Sequence, residues 1–283
     1  MVIKGNRIHG CRRIRIMMLS LLILSAISVP AGGVDFTPPL VPVRPAAATP
    51  PDPHRPALSI LRQAVAVKTA NWKTHQGALQ CYERSSANET WKAVGEPIPV
   101  VVGRNGLGWG VGLHPIADME AHRDNGPEKR EGDGRAPAGV FRLSSAFGYA
   151  PAKEAGGIKL PYMQATPSLR CVDDAQSRHY NRIVDSALIK PVWKSAEEMR
   201  RHDDQYRLGI VVDHNTNPVI PGRGSCIFIH IWKGPDAGTA GCTAMSQESM
   251  ERLIRWLDPS ANPVLIQLPE GIYRQLRTGW DLP

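Results

Sequence analysis

From residue 57 onward the chain is a succession of short apolar runs rich in β-branched residues, each soon broken by Gly, Asn, Pro or Asp. "AVAVKTA" (64–70), "ALQCYER" (78–84), "IPVVVGR" (98–104), "GVFRLSSAF" (139–147), "LGIVVDH" (208–214), "CIFIHIW" (226–232) and "NPVLIQL" (262–268) all have this character. Runs of this length with turn residues between them are strand signals. The cadence implies a mainly β (α+β) architecture.

Two segments carry helix signals. "SAEEMRRH" opens on Ser195 with Glu198 three residues on, a capping-box pattern. "SQESMERLIRWLDP" starts at Ser246 and places Met250, Leu253, Ile254 and Leu257 on one face. Glu248 and Glu251 near its start suit the helix dipole, and Pro259 ends it. That apolar face reads as core packing.

The N-terminus has a different character. Lys4, Arg7, Arg12, Arg13 and Arg15 precede the fourteen-residue apolar run "IMMLSLLILSAISV", and small residues follow in "VPAGG". A charged start, a run too short to span a bilayer comfortably and a small-residue cleavage region describe a secretory signal peptide over 1–31. The competing reading is an uncleaved anchor; on either one the remainder lies outside the cytoplasm. Residues 32–56 are rich in Pro and Ala and read as a semi-rigid spacer. The folded domain is expected over 57–283.

The leader also qualifies the charge. Of 34 Lys and Arg against 26 Asp and Glu it holds five, so the mature balance is only +3, 29 against 26. With no basic stripe interleaved with aromatics, nucleic-acid binding is excluded as a reading. A mild positive balance suits an anionic wall polymer.

Export permits disulfides among Cys81, Cys171, Cys226 and Cys242, which allow three complete pairings. If one thiol stays reduced for chemistry, a single disulfide fits, and Cys81–Cys171 is the expected pair.

The segment "CIFIHIWKGPDAGTAGCTAM" (226–245) concentrates the chemistry. Alternation along a strand puts Cys226, Phe228 and His230 on one face and Ile227, Ile229 and Ile231 on the other. Cys242 follows His230 by twelve residues and precedes the helix at Ser246 by four. A thiol near a helix N-terminus is expected to have a lowered pKa. Gly241 lets backbone approach a substrate, and amides at Gly241–Cys242 would cradle an oxyanion. A histidine within reach would complete an activated nucleophile. Other readings of Cys242 remain open on spacing alone: a buried small hydrophobe, a disulfide partner, or a zinc ligand with His214 and His230 beside Asp213. No His-Glu-x-x-His helix or paired Cys-x-x-Cys supports the metal.

"SCIFIHIWKGPDAGTAGCTAM", with "VVDHN" upstream, resembles the L,D-transpeptidase (YkuD-type) catalytic domain of bacterial cell-wall enzymes. "EGDGRAPAGVF" is similar to that family's Lys/Glu-Gly-Asp-x-x-Thr/Ala-Pro-x-Gly-x-Phe segment, in which a strand follows the loop. The likeness spans about 60–270 and is strongest over 209–257. It implies an L,D-transpeptidase-like β-sandwich with a helix after the catalytic cysteine, and peptidoglycan stem peptides as substrate; no cofactor or metal is expected. Residue by residue, it implies Cys242 as nucleophile, His230 as general base, the Ile231 carbonyl orienting the ring, and Gly241 with the Cys242 amide as oxyanion hole. The sequence departs from the pattern in reading Thr239-Ala240-Gly241-Cys242 where the family has Ser/Thr-His-Gly-Cys, in Ala244 where an arginine is usual, and in a shorter His-to-Cys spacing. His214 is a candidate for the role of the missing second histidine, or a polar strand-end residue.

The expectation is an exported cysteine transferase of the periplasm or cell wall, joining stem peptides, with no nucleic-acid partner and no membrane contact in the mature form. The alternatives are a stem-peptide hydrolase on the same scaffold and an inactive wall-binding module. Arg223 is a candidate partner for a stem-peptide carboxylate, while Asp174, Tyr180 and Asn181 read as satisfied loop residues near the cleft.

Overall fold

The computed structural model describes residues 60–86, 88–114 and 125–283. The expected signal peptide over 1–31, the spacer over 32–56 and the domain start at 57 lie outside the described residues. Among those described, no helix is long and apolar enough to cross a membrane.

The strands are β1 (Gln63–Thr69), β2 (Gln76–Glu83), β3 (Lys92–Val101), β4 (Leu107–Trp109), β5 (Ala136–Gly148), β6 (Tyr162–Gln164) and β7 (Leu169–Val172). They continue with β8 (Ile183–Asp185), β9 (Ala196–Glu198), β10 (Leu208–Val212), β11 (Phe228–Ile231), β12 (Thr243–Met245) and β13 (Val264–Pro269). Helix α1 covers Gln247–Trp256 and α2 covers Glu270–Leu276. All seven runs read as strands from their composition form them.

Eight strands close on themselves in the order β10, β11, β12, β3, β2, β1, β13, β5, with β5 pairing back onto β10. The β1–β13 and β11–β12 pairs are parallel and the other pairs of the ring antiparallel. Closure leaves no free edge in the ring. The sheet thus forms a mixed barrel or sandwich, mainly β as the sequence cadence implies and sandwich-like as the resemblance implies. Its length lets β5 pair with β13, β10, β4 and β6 at different points. Val65, Val67, Leu79, Phe141, Ile229 and Leu265 are among the side chains that fill the main core.

Helix α1 follows the sequence signals closely. The Ser246 hydroxyl accepts the Ser249 amide at 3.3 Å, and Met250, Leu253 and Ile254 are buried. That face packs against β10 and β11, each large apolar side chain contributing about 1.5–3 kcal/mol.

The helix expected from Ser195 does not form. Ala196–Glu198 is instead the strand β9, paired antiparallel with β7 in the register Arg170↔Glu198, Cys171↔Glu197, Val172↔Ala196. The octet has almost no apolar stripe for a helix to bury, whereas β7 offers open backbone donors and acceptors. Pairing partners override a local capping pattern. With β8, these strands make a separate three-stranded sheet.

The disulfide also differs from expectation: it joins Cys171 to Cys226, with Cα atoms 5.9 Å apart. Cys81 is a buried free thiol on β2, packed in the main core, whereas Cys171 belongs to a second cluster with Cys226, Phe228 and Cys242. The crosslink clips the small sheet onto the chain entering β11.

Candidate active site

The alternation read from β11 sorts its side chains between the two clusters. Ile227, Ile229 and Ile231 enter the main core, while Cys226 and Phe228 join the second cluster, where His230 packs on Tyr206. The parallel pairing of β11 with β12, in the register Ile229↔Thr243 and His230↔Ala244, then brings Cys242 beside this strand. Twelve residues of separation become neighbourhood because the intervening loop returns the chain in the same direction. That loop is pinned near its end: Thr239 N–H donates to Val102 O at 2.9 Å, and Arg104 N–H to Thr239 O at 2.8 Å.

His230 is buried, and its Nδ1 lies 2.8 Å from the Ile231 carbonyl oxygen. A carbonyl can only accept, so Nδ1 carries the hydrogen and Nε2 is left with a lone pair. Burial pushes the imidazole pKa down to about 4, against a smaller opposing effect of the Ile231 hydrogen bond. The ring is therefore neutral at ordinary pH.

Cys242 is equally enclosed. Its Sγ accepts the Phe228 amide at 3.3 Å and donates to the Cys226 carbonyl at 3.6 Å. Burial pushes the thiol up to about 12, and the Glu197 carboxylate adds to the rise, while the Phe228 amide and the Tyr206 hydroxyl act the other way. The lowered pKa expected from the following helix is not found. A helix dipole fades beyond its first turn, and desolvation of the anion is the larger effect at this distance.

The Gly241 amide donates to the Thr239 hydroxyl at 3.1 Å, and that hydroxyl donates to the Cys242 carbonyl at 2.6 Å. An oxyanion at Gly241 would compete with the Thr239 hydroxyl for this amide. Space is tight here: a Cβ on Gly241 would stand 3.1 Å from the Arg135 carbonyl oxygen.

Cys242, His230, Thr239 and Gly241 line one cavity of about 350 Å³, whose other walls carry charge. Lys129, Arg201 and Lys233 line it together with Glu131, Asp173 and Glu197, and Asp173 Oδ1 is a buried oxygen without a hydrogen-bond partner. Lys129 is held by the Asp133 carboxylate at 2.8 Å, and Asp133 also accepts the Arg130 and Arg135 amides. The aspartate of "EGDGRAPAGVF" therefore builds the turn beneath the cavity.

His214 is placed elsewhere and is not among the cavity's described lining residues. Its Nδ1 accepts the Val111 amide at 3.2 Å and its Nε2 donates to the Arg223 carbonyl at 2.9 Å. Both nitrogens are occupied, and burial pushes its pKa down to about 3. Among the described residues no three His, Cys, Asp or Glu side chains are grouped to hold a metal. Arg223 pairs with Glu128 at 3.0 Å. Asn181 donates to the His214 and Asn215 carbonyls and accepts the Cys226 amide. Tyr180 donates to Glu131, and Asp174 accepts the Gln176 and Lys194 amides.

The sequence reading passed over Tyr206 and Glu197. The Tyr206 hydroxyl donates to Glu197 Oε2 at 2.6 Å, and its ring meets the His230 imidazole at 5.1 Å, nearly edge-on. An aromatic residue just before the strand that neighbours the histidine strand was the only available signal.

Comparison with known protein families matches the L,D-transpeptidase catalytic domain family, YkuD, over residues 71–266. This family acts on peptidoglycan stem peptides of the cell wall. Comparisons with curated proteins and with solved structures returned no match.

Proposed function

We propose, on the premise that the chain belongs to the YkuD family of L,D-transpeptidase catalytic domains, that it is an exported cysteine transferase that cross-links peptidoglycan stem peptides. The observation carrying this reading is the His230 ring, locked by the Ile231 carbonyl with Nε2 unprotonated, in the same cavity as the Cys242 thiol.

The resting pair is neutral: a thiol pushed up to about 12 and an imidazole pushed down to about 4 do not exchange a proton unaided. The proton moves only as sulfur bonds to the donor peptide's carbonyl carbon. His230 Nε2 takes it and returns it to the leaving amine, so the donor C–N bond breaks and a Cys242 thioester remains. The Cys242 amide, joined by Gly241 if Thr239 releases it, faces the developing oxyanion. An acceptor amine then attacks the thioester, giving its proton to Nε2, and the thiol is regenerated. The thioester conserves much of the energy of the broken amide, which suits transfer outside the cytoplasm, where no ATP is at hand. Residues 1–31 serve as the export signal, and the mature chain begins near Gly32.

A second reading, hydrolysis of stem peptides, is favoured by the charged walls of the cavity, which admit water beside a thioester. Incubating the mature protein with a defined stem-peptide donor and a labelled amine separates the two. Cross-linked product that disappears in Cys242→Ala supports transfer. Trimmed peptide alone, at every acceptor concentration, makes the enzyme a hydrolase.

A further inference from the structure

Tyr206 is held more firmly than packing alone requires. It ends a 3-10 turn, Asp204–Tyr206, whose first residue follows Asp203; the Asp203 side chain accepts the Gln205 amide. Asp203 also takes two hydrogen bonds from Arg201, and the Arg201 guanidinium stands 5.0 Å over the Tyr206 ring. Phe147 and Phe228 pack edge-on to the ring at 5.7 and 5.6 Å, and His230 does so at 5.1 Å. Only the hydroxyl remains polar, and it points to Glu197 Oε2 at 2.6 Å. Tyr206, Glu197, His230 and Cys242 line the same cavity.

We propose that Tyr206 is a third functional side chain of this site, its hydroxyl held by Glu197 as the positioning residue and turning to the Cys242 sulfur when the thiol proton leaves for His230. This rests on Cys242 being the nucleophile proposed above.

The step needs no additional co-reactant. The S–H proton passes to His230 Nε2, sulfur bonds to the donor carbonyl, and the phenol keeps its own proton. Rotation about the phenol C–O bond only moves one hydrogen bond from carboxylate to sulfur. In the resting site the carboxylate holds that hydrogen bond, and burial, with Glu197 adding to it, keeps the thiol protonated, beside a disulfide that a thiolate could attack; burial raises the pKa of Glu197 as well. As the proton leaves during attack and negative charge develops on sulfur, sulfur competes for the same hydroxyl. The opposite influences of Tyr206 and Glu197 on the ionisation of Cys242 agree with this geometry.

The test is the pH dependence of Cys242 alkylation by iodoacetamide, read by peptide mass spectrometry on the folded mature chain, beside melting temperature and turnover of stem peptide. Tyr206→Phe keeps the ring and removes the hydroxyl. A hydrogen bond to a charged group is worth roughly 10–100-fold in equilibrium, so alkylation at a fixed pH should slow by about that factor, and turnover should fall. The melting temperature should fall somewhat, because Glu197 loses its Tyr206 donor, so the alkylation profile is the discriminating readout. Glu197→Gln, which addresses the same hydroxyl should Tyr206→Phe not fold, should move alkylation the other way, faster at neutral pH. A purely structural role would lower the melting temperature and leave the alkylation profile in place. Profiles of Tyr206→Phe and Glu197→Gln that coincide with the wild type overturn the proposal, as does alkylation of Cys242 that does not rise with pH in any of the three proteins. Should Cys242→Ala retain full turnover while Tyr206→Phe still shifts the alkylation profile, the proposed function fails and the proposed hydrogen bond from the hydroxyl to sulfur stands.

Discussion

The Nδ1 of His230 and the carbonyl oxygen of the next residue, Ile231, lie 2.8 Å apart, so the backbone of β11 fixes the tautomer of its own histidine. No carboxylate is needed to orient the ring. Replacing His230 by Ala should therefore remove general-base assistance, a loss of roughly 10²–10⁴ in turnover, while the fold persists. Circular dichroism and kinetics on the same preparation check this. Turnover within a few-fold of wild type would remove His230 from the mechanism.

His214 should behave differently. With both ring nitrogens bonded to backbone in a buried position, His214→Ala leaves the Val111 amide and the Arg223 carbonyl unpaired. Each such loss costs about 1–3 kcal/mol. The expected result is a lower urea midpoint, with turnover of the folded fraction reduced less than in His230→Ala. A variant of native stability with abolished turnover would give His214 a chemical role.

Stability should fall on acidification. His214 and His230 have folded-state pKa values pushed below 6.5, to about 3 and about 4. Below pH 6.5 and above those values the unfolded chain binds more protons than the native one, so acid favours unfolding. Each histidine adds a slope of up to about 1.4 kcal/mol per pH unit in that window. Urea titrations at pH 7, 6, 5 and 4 measure it. A midpoint that stays level or rises toward pH 4 would contradict the buried neutral rings.

Non-reducing peptide maps of the mature protein should link Cys171 to Cys226 and leave Cys81 and Cys242 free. The 55-residue separation makes the bond worth about 4 kcal/mol on the chain-entropy model. Cys171→Ser with Cys226→Ser should lower the melting temperature and loosen the small sheet that carries Glu197. Cys81 should resist alkylation until the protein unfolds, because burial pushes it up to about 12. A Cys81–Cys171 peptide would refute this arrangement.

The parts legible in the sequence are those written locally. Strand runs show in their composition, α1 in its cap and apolar face, and the two faces of β11 in the alternation around His230. The Cys242–His230 neighbourhood was readable because a short loop between parallel strands returns the chain to its start. What stayed hidden depends on distant partners. β9 is a strand only because β7 offers it a ladder, and the disulfide follows from which cluster each cysteine enters. The direction of the Cys242 shift is set by burial and by Glu197, neither visible from the position of α1. Tyr206 and Glu197, nine residues apart, have no motif between them; the 3-10 turn and the small sheet bring them together.

The central claim is that Cys242 carries the acyl group, and a trapped intermediate tests it most directly. Mature protein is mixed with a stem-peptide donor without acceptor, quenched in acid within seconds, and its intact mass and peptide map are recorded. The account predicts one added acyl group on the peptide containing Cys242, released by hydroxylamine as a thioester should be, and absent from Cys242→Ala. An adduct on another residue, or undiminished turnover by Cys242→Ala with no adduct at all, would contradict it.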